Sequence, residues 1–200
     1  MSVRTRPPRA DRLGGTYGNE LLTMAAAVLL TALLAAEGVT LLRMDVLRRE
    51  HMFIGLLLIP PVLLKLGSTG YRFVRYYTGS PRYREKGPPV LGLRLLAPML
   101  VTTTVLLFAS GVALMIVGHK SGLLDELHKV SFIVWSACFG VHFLYYLPHV
   151  GRTLVERHRP RVAGATARGL LVVAAVGGGL ALAVALISVI RAWQSGFFFG

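Results

Sequence analysis

Apolar residues in this chain come in long unbroken runs, with polar and charged residues gathered into short stretches between them. Five runs reach membrane-spanning length: roughly Leu21 to Leu42, His51 to about Tyr71, about Leu95 to Gly118, about Leu124 to Pro148, and Gly169 to about Ile190. A bilayer core about 30 Å thick takes about 20 helical residues to cross, and backbone groups inside it must be satisfied within helices or closed barrels. The pattern therefore predicts an all-α integral membrane bundle of five transmembrane helices. Residues 1–20 form a basic N-terminal segment, residues 21–150 a four-helix core, residues 151–168 a basic loop, and residues 169–200 a fifth helix with a tail.

Composition agrees. Hydrophobic residues make up 54% of the 200 and charged residues only 16%, too few to cover a soluble domain of this size. The formal charge is +13, and its placement predicts orientation, because Lys and Arg collect on the cytoplasmic side. Fifteen basic residues lie before the first run, between the second and third, or between the fourth and fifth; six lie at the opposite ends. The N-terminus is expected inside and the C-terminus outside. The first run is longer than the apolar region of a cleavable signal peptide, so it is read as a retained anchor. Clustered Arg is also a footprint for nucleic acid. Topology already requires these charges, however, and the interspersed tyrosines Tyr71, Tyr76, Tyr77, Tyr83, Tyr145 and Tyr146 suit an interfacial aromatic belt. Membrane lipids are the expected partner, and nucleic acid is not.

The single cysteine, Cys138, excludes a disulfide framework, a four-cysteine iron–sulfur cluster, a thiolate zinc site and a covalently attached c-type haem. Any cofactor must rely on His, Lys, carboxylates or backbone. Ionisable residues within a membrane are costly and so are candidates for function. The fourth run carries His128 and His142, separated by 14 residues, or about 3.9 turns and about 21 Å of rise. The second run, parallel to the fourth in this topology, carries His51 and, 14 residues later, Lys65. Two imidazoles on facing helices can bind the iron of a b-type haem from both sides without a thiol. His51 and His128 meet that requirement at the outer level. Lys65 and His142 form the corresponding inner pair, in which the lysine either ligates as a neutral amine, snorkels its ammonium to the headgroups or pairs with a haem propionate.

Small residues fit the same arrangement. Gly55 lies on the face of His51, and Ala97, Thr104, Gly111 and Gly118 form a stripe at intervals of seven along the third run. The stripe suits close approach to a flat macrocycle, and equally an ordinary helix contact. Trp135, with Phe132 and Phe139, either lines a pocket or faces lipid. Pro60 and Pro61 predict a bend in the second helix. Glu37 is either a proton carrier for quinol oxidation or an ion-paired carboxylate. His119, near the level of His51 and His128, leaves open a three-histidine metal site, while His149 and His158 are expected at the inner surface.

His51 with Lys65, facing His128 with His142, resembles the bacterial membrane cytochrome b superfamily, which includes the di-haem cytochrome b subunits of respiratory formate dehydrogenases and hydrogenases. The resemblance covers roughly residues 20–150, and Lys65 departs from the paired-histidine pattern. It implies one or two haem b groups, electron transport across a bacterial cytoplasmic membrane, and exchange with quinol or with a redox partner protein, this chain being a subunit of a larger oxidoreductase. The competing expectations are a transporter or channel with Lys65, Glu37 and His142 along a polar path, and a metal-dependent membrane enzyme using the outer histidines.

Overall fold

The computed structural model describes residues 15–85, 87, 90–117, 122–155 and 163–193, and these contain no β-strand. Seven helices follow in order: α1 (Gly15–Leu42), α2 (Met44–Tyr77), α3 (Pro81–Arg84), α4 (Leu91–Val117), α5 (Gly122–Val155), α6 (Ala165–Ala185) and α7 (Ile187–Ala192). Five of them, α1, α2, α4, α5 and α6, are long and apolar enough to cross a bilayer. Residues 1–14 of the basic N-terminal segment, Gly118, His119, His158 and most of the loop before α6 lie outside the described residues, as does the side chain of His149; residues 15–20, expected in that segment, belong to α1.

α1 and α2 are joined through Arg43 alone, whose dihedrals (φ −139°, ψ 49°) leave the helical region. So short a connection folds the two helices back on each other as an antiparallel pair. Their register is visible in polar contacts: Asn19 Nδ2 donates to Ser68 O at 3.1 Å near one end, and Glu37 meets His51 at the other. α2 begins at Met44, so His51 sits about two turns inside the helix rather than at its start. A second pair, α4 and α5, is also antiparallel: the Trp135 indole donates to Thr104 Oγ1 at 3.0 Å, and His128 lies against Leu107.

The expected bend at Pro60 and Pro61 is not where the dihedrals of α2 break; that residue is Leu47 (φ −103°, ψ 18°). The prolines also act on packing. Pro61 has no N–H for the carbonyl four residues back, which belongs to Leu57. Gly179 of α6 lies directly against that Leu57 carbonyl, with no room for a Cβ, and Gly178 lies against the Pro60 ring. The fifth span is thereby fastened to α2 by its glycines, the usual route to close helix approach where apolar lipid removes the hydrophobic drive. It is an integral part of the packing: Leu56, Met115, Ala183 and Ile190 form a buried cluster shared by α2, α4, α6 and α7. Trp193 closes that end by donating its indole N–H to Met115 O at 2.9 Å, a carbonyl in the last turn of α4.

Outward-facing positions are aliphatic, Val105, Ile133, Val141 and Val173 among them, as lipid contact demands. At the end where α2 stops, Gly79 (φ +85°) turns the chain into α3, and Tyr83 is buried edge-on to Tyr71. Burial raises the Tyr83 hydroxyl above its ordinary range, Tyr71 adding to the rise while Arg75 and Arg72 oppose it.

Candidate functional site

The α1–α2 hairpin and the α4–α5 hairpin each present one histidine, and the two rings meet. The centroids of His51 and His128 are 6.5 Å apart, with ring planes at 77°. The two rings come from helices with few direct backbone approaches: α2 packs on α1 and α6, and α5 packs on α4. The space between α2 and α5 is thus bridged by side chains.

Hydrogen bonds settle the tautomer of both rings. His51 Nδ1 lies 2.8 Å from Glu37 Oε1 and 3.2 Å from Thr40 Oγ1. The Thr40 hydroxyl proton is already donated to Glu37 O at 2.6 Å, so both neighbours of Nδ1 are acceptors and the proton sits on Nδ1. His128 Nδ1 lies 3.1 Å from Leu107 O, which can only accept, and 3.1 Å from Ser110 Oγ, which itself donates to Leu107 O. Nδ1 is again the protonated nitrogen. In the neutral rings this leaves the lone pair on Nε2, which makes no hydrogen bond among the described residues. A metal-binding histidine has this same arrangement: one nitrogen is held by a carboxylate or carbonyl while the other stays basic.

Distance permits a shared ion. A metal–imidazole bond is about 2 Å long and the ring centre lies about 1 Å behind its nitrogen, so two rings on one ion stand about 6 Å apart. Among the described residues no three His, Cys, Asp or Glu side chains gather as a metal cage. An ion held by protein side chains alone would lack ligands here, whereas the iron of a haem brings four equatorial nitrogens and asks the protein for two.

The small residues serve the histidines themselves. A Cβ at Gly111 would come within 3.0 Å of His128 Cε1, so the imidazole lies over bare backbone, and a Cβ at Gly55 would lie 3.7 Å from Glu37 Oε1. Trp135, bonded to Thr104, stacks on Phe139 (4.8 Å, 6°), and Phe139 in turn stacks on Phe143. The stripe on α4 is therefore in part an ordinary helix contact, with Thr104 and Gly111 facing α5.

Fourteen residues further along, the second pair is built differently. Lys65 Nζ reaches across to α1 and donates to Thr23 O at 3.0 Å, within a polar cluster where Thr23 Oγ1 donates to Ser68 Oγ at 2.9 Å. His142 lies against Tyr146 at 4.8 Å and within electrostatic reach of Lys65. It makes no hydrogen bond among the described residues. Only the His51 level has both rings oriented by surrounding groups. Sequence reasoning did not assign the groups that orient them, namely Thr40, Ser110, Leu107 O and the pairing of Glu37 with His51. The turn confined to Arg43 places positions 37 and 51 side by side, which the apolar runs, ending at Leu42 and resuming at His51, do not show.

Beside the His51 level opens a cavity of about 390 Å³ lined by Asp45, Val46, Arg48, Arg49, Met52, Ile190 and Trp193. Comparison of the chain with protein-family models, with curated proteins and with solved structures yields no match.

Proposed function

We propose that this chain is a membrane-embedded b-type cytochrome that carries electrons across the bilayer as the membrane subunit of a redox complex. One observation carries the reading: His51 and His128, on helices that scarcely touch, stand 6.5 Å apart with both Nδ1 protons committed and both Nε2 lone pairs left over. Bound between them, haem b supplies a reversible one-electron iron centre. The residues supply the rest. Glu37 and Thr40 hold His51, Leu107 and Ser110 hold His128, and these bonds keep the rings in one orientation and raise their basicity. Gly111 gives the His128 ring its seat, and the apolar helices exclude water. His142 with Lys65 is the candidate for a second haem. Electrons are exchanged with quinol, for which the cavity beside Met52 and Trp193 offers an approach, or with a redox partner protein. Under the orientation favoured by the basic loops, the His51 level lies toward the outside of a bacterial cytoplasmic membrane.

A visible spectrum of protein produced with ample haem tests this directly. A red protein is expected, with a Soret band that sharpens and shifts on reduction, and His51→Ala and His128→Ala are each expected to lose most of that haem. A colourless, well-folded protein would overturn the reading, as would full low-spin haem content in both variants; a transport protein would give the colourless result.

A further inference from the structure

Glu37 is a membrane-embedded carboxylate with an incomplete set of partners. Its side chain is only 14% exposed. Oε1 accepts the His51 Nδ1 proton, while Oε2 is buried with no hydrogen-bond partner. No Lys or Arg pairs with it among the described residues. A buried carboxylate oxygen without a hydrogen-bond partner is costly, and the group is sensitive to any charge that develops nearby. Across the site, the hydrogen-bond partners of His128 are neutral, a backbone carbonyl and a hydroxyl, and the Asp125 carboxylate acts on this ring only through space. The two histidines of one pair thus stand in unlike electrostatic surroundings.

Resting on the haem reading above, we propose that Glu37 is a positioning residue whose charge sets the reduction potential of the haem at His51 and His128. Ferric iron in a porphyrin dianion with two neutral imidazoles carries one net positive charge, and the ferrous form carries none. The Glu37 carboxylate, relayed through His51, is compensated by the oxidised centre and left uncompensated by the reduced one. It also draws the Nδ1 proton toward itself, which strengthens His51 as a donor and again favours the ferric state. One electron enters or leaves the iron, and no bond breaks. The His51 level is thereby held at low potential, as suits a site that passes electrons onward.

Glu37→Gln removes the charge and retains an oxygen able to accept from Nδ1. Its expected effect is an upward shift of the midpoint potential of this haem, with haem content and low-spin bands retained; Glu37→Asp, which restores the charge, should bring the potential back toward that of the unsubstituted protein. An unchanged or lowered potential in Glu37→Gln, with haem bound, would overturn the role of Glu37 and leave the haem assignment intact. Absence of haem from the unsubstituted protein would overturn the assignment itself. Should Glu37→Gln fail to retain haem, the reduced-minus-oxidised infrared spectrum of the unsubstituted protein decides. A carboxylate band that moves on isotopic labelling of glutamate is expected there, and a spectrum lacking one overturns the proposal.

Discussion

His128 rests on Gly111, where a larger residue would crowd its imidazole. A methyl at that position would meet Cε1 at 3.0 Å, and relief requires the ring to shift by a few tenths of an ångström against its bonds to Leu107 and Ser110. Overpacking of this kind costs about 1–3 kcal/mol, so under the proposed function Gly111→Ala should weaken haem retention by about tenfold, as each 1.4 kcal/mol is tenfold in affinity. Titration of the haem-free protein, followed at the Soret band, measures this; unaltered affinity would mean that the ring is free to move. Lys65→Met should leave the low-spin signal of the haem proposed at His51 and His128 intact, because residue 65 lies about 21 Å further along α2 and its amine bonds to Thr23. A spectral change confined to a second haem would place the amine on its iron, and loss of the first haem would contradict the separation of the two levels. At this scale the sequence displayed the histidines and their 14-residue spacing. It could not display which nitrogen of each ring carries the proton, since that follows from Thr40, Glu37 and Leu107 arriving from other turns and other helices.

Between α2 and α6 the contact depends on three residues acting together. Pro61 frees the Leu57 carbonyl, and Gly179 alone can approach it; a Cβ there would collide with Leu57 backbone atoms, which cannot move aside without shifting the helix. Gly179→Ala is expected to lower stability by about 1–3 kcal/mol, seen as a lower thermal midpoint in detergent. Gly177, two residues away, has open space at its Cβ position. Gly177→Ala should therefore be neutral or slightly stabilising, since alanine is favoured over glycine in a helix by about 1 kcal/mol. Equal effects from the two substitutions would disprove the close contact. All five apolar runs became helices, because a run of that length in lipid has no other way to pair its backbone groups. Their ends moved by several residues, since polar residues such as Arg48, Arg49 and Glu50 join a helix readily once the hairpin turn is confined to Arg43. The prolines also serve as half of a helix contact, which the sequence of α2 does not display because the glycines that meet them lie on α6.

For the whole molecule, the basic residues make a prediction of their own. Fifteen against six should place residues 71–94 inside, and labelling of cysteines introduced into that loop in a Cys138→Ser background checks it. Labelling from the outside of intact cells would reverse the orientation and put the His51 level on the cytoplasmic face. The chain by itself determined the class of protein and the number of spans, because the bilayer imposes a length and a polarity that can be read residue by residue. It also determined which ionisable groups lie within the spans, because each stands out in an apolar run. Tertiary structure decided what those groups are to one another. Packing of two antiparallel hairpins brought His51 and His128 together across a gap that their own helices do not close. It gave Glu37 to His51 and sent Lys65 to Thr23, because side-chain partnership inside a membrane depends on the rotation and register of neighbouring helices, quantities that no spacing along one helix contains.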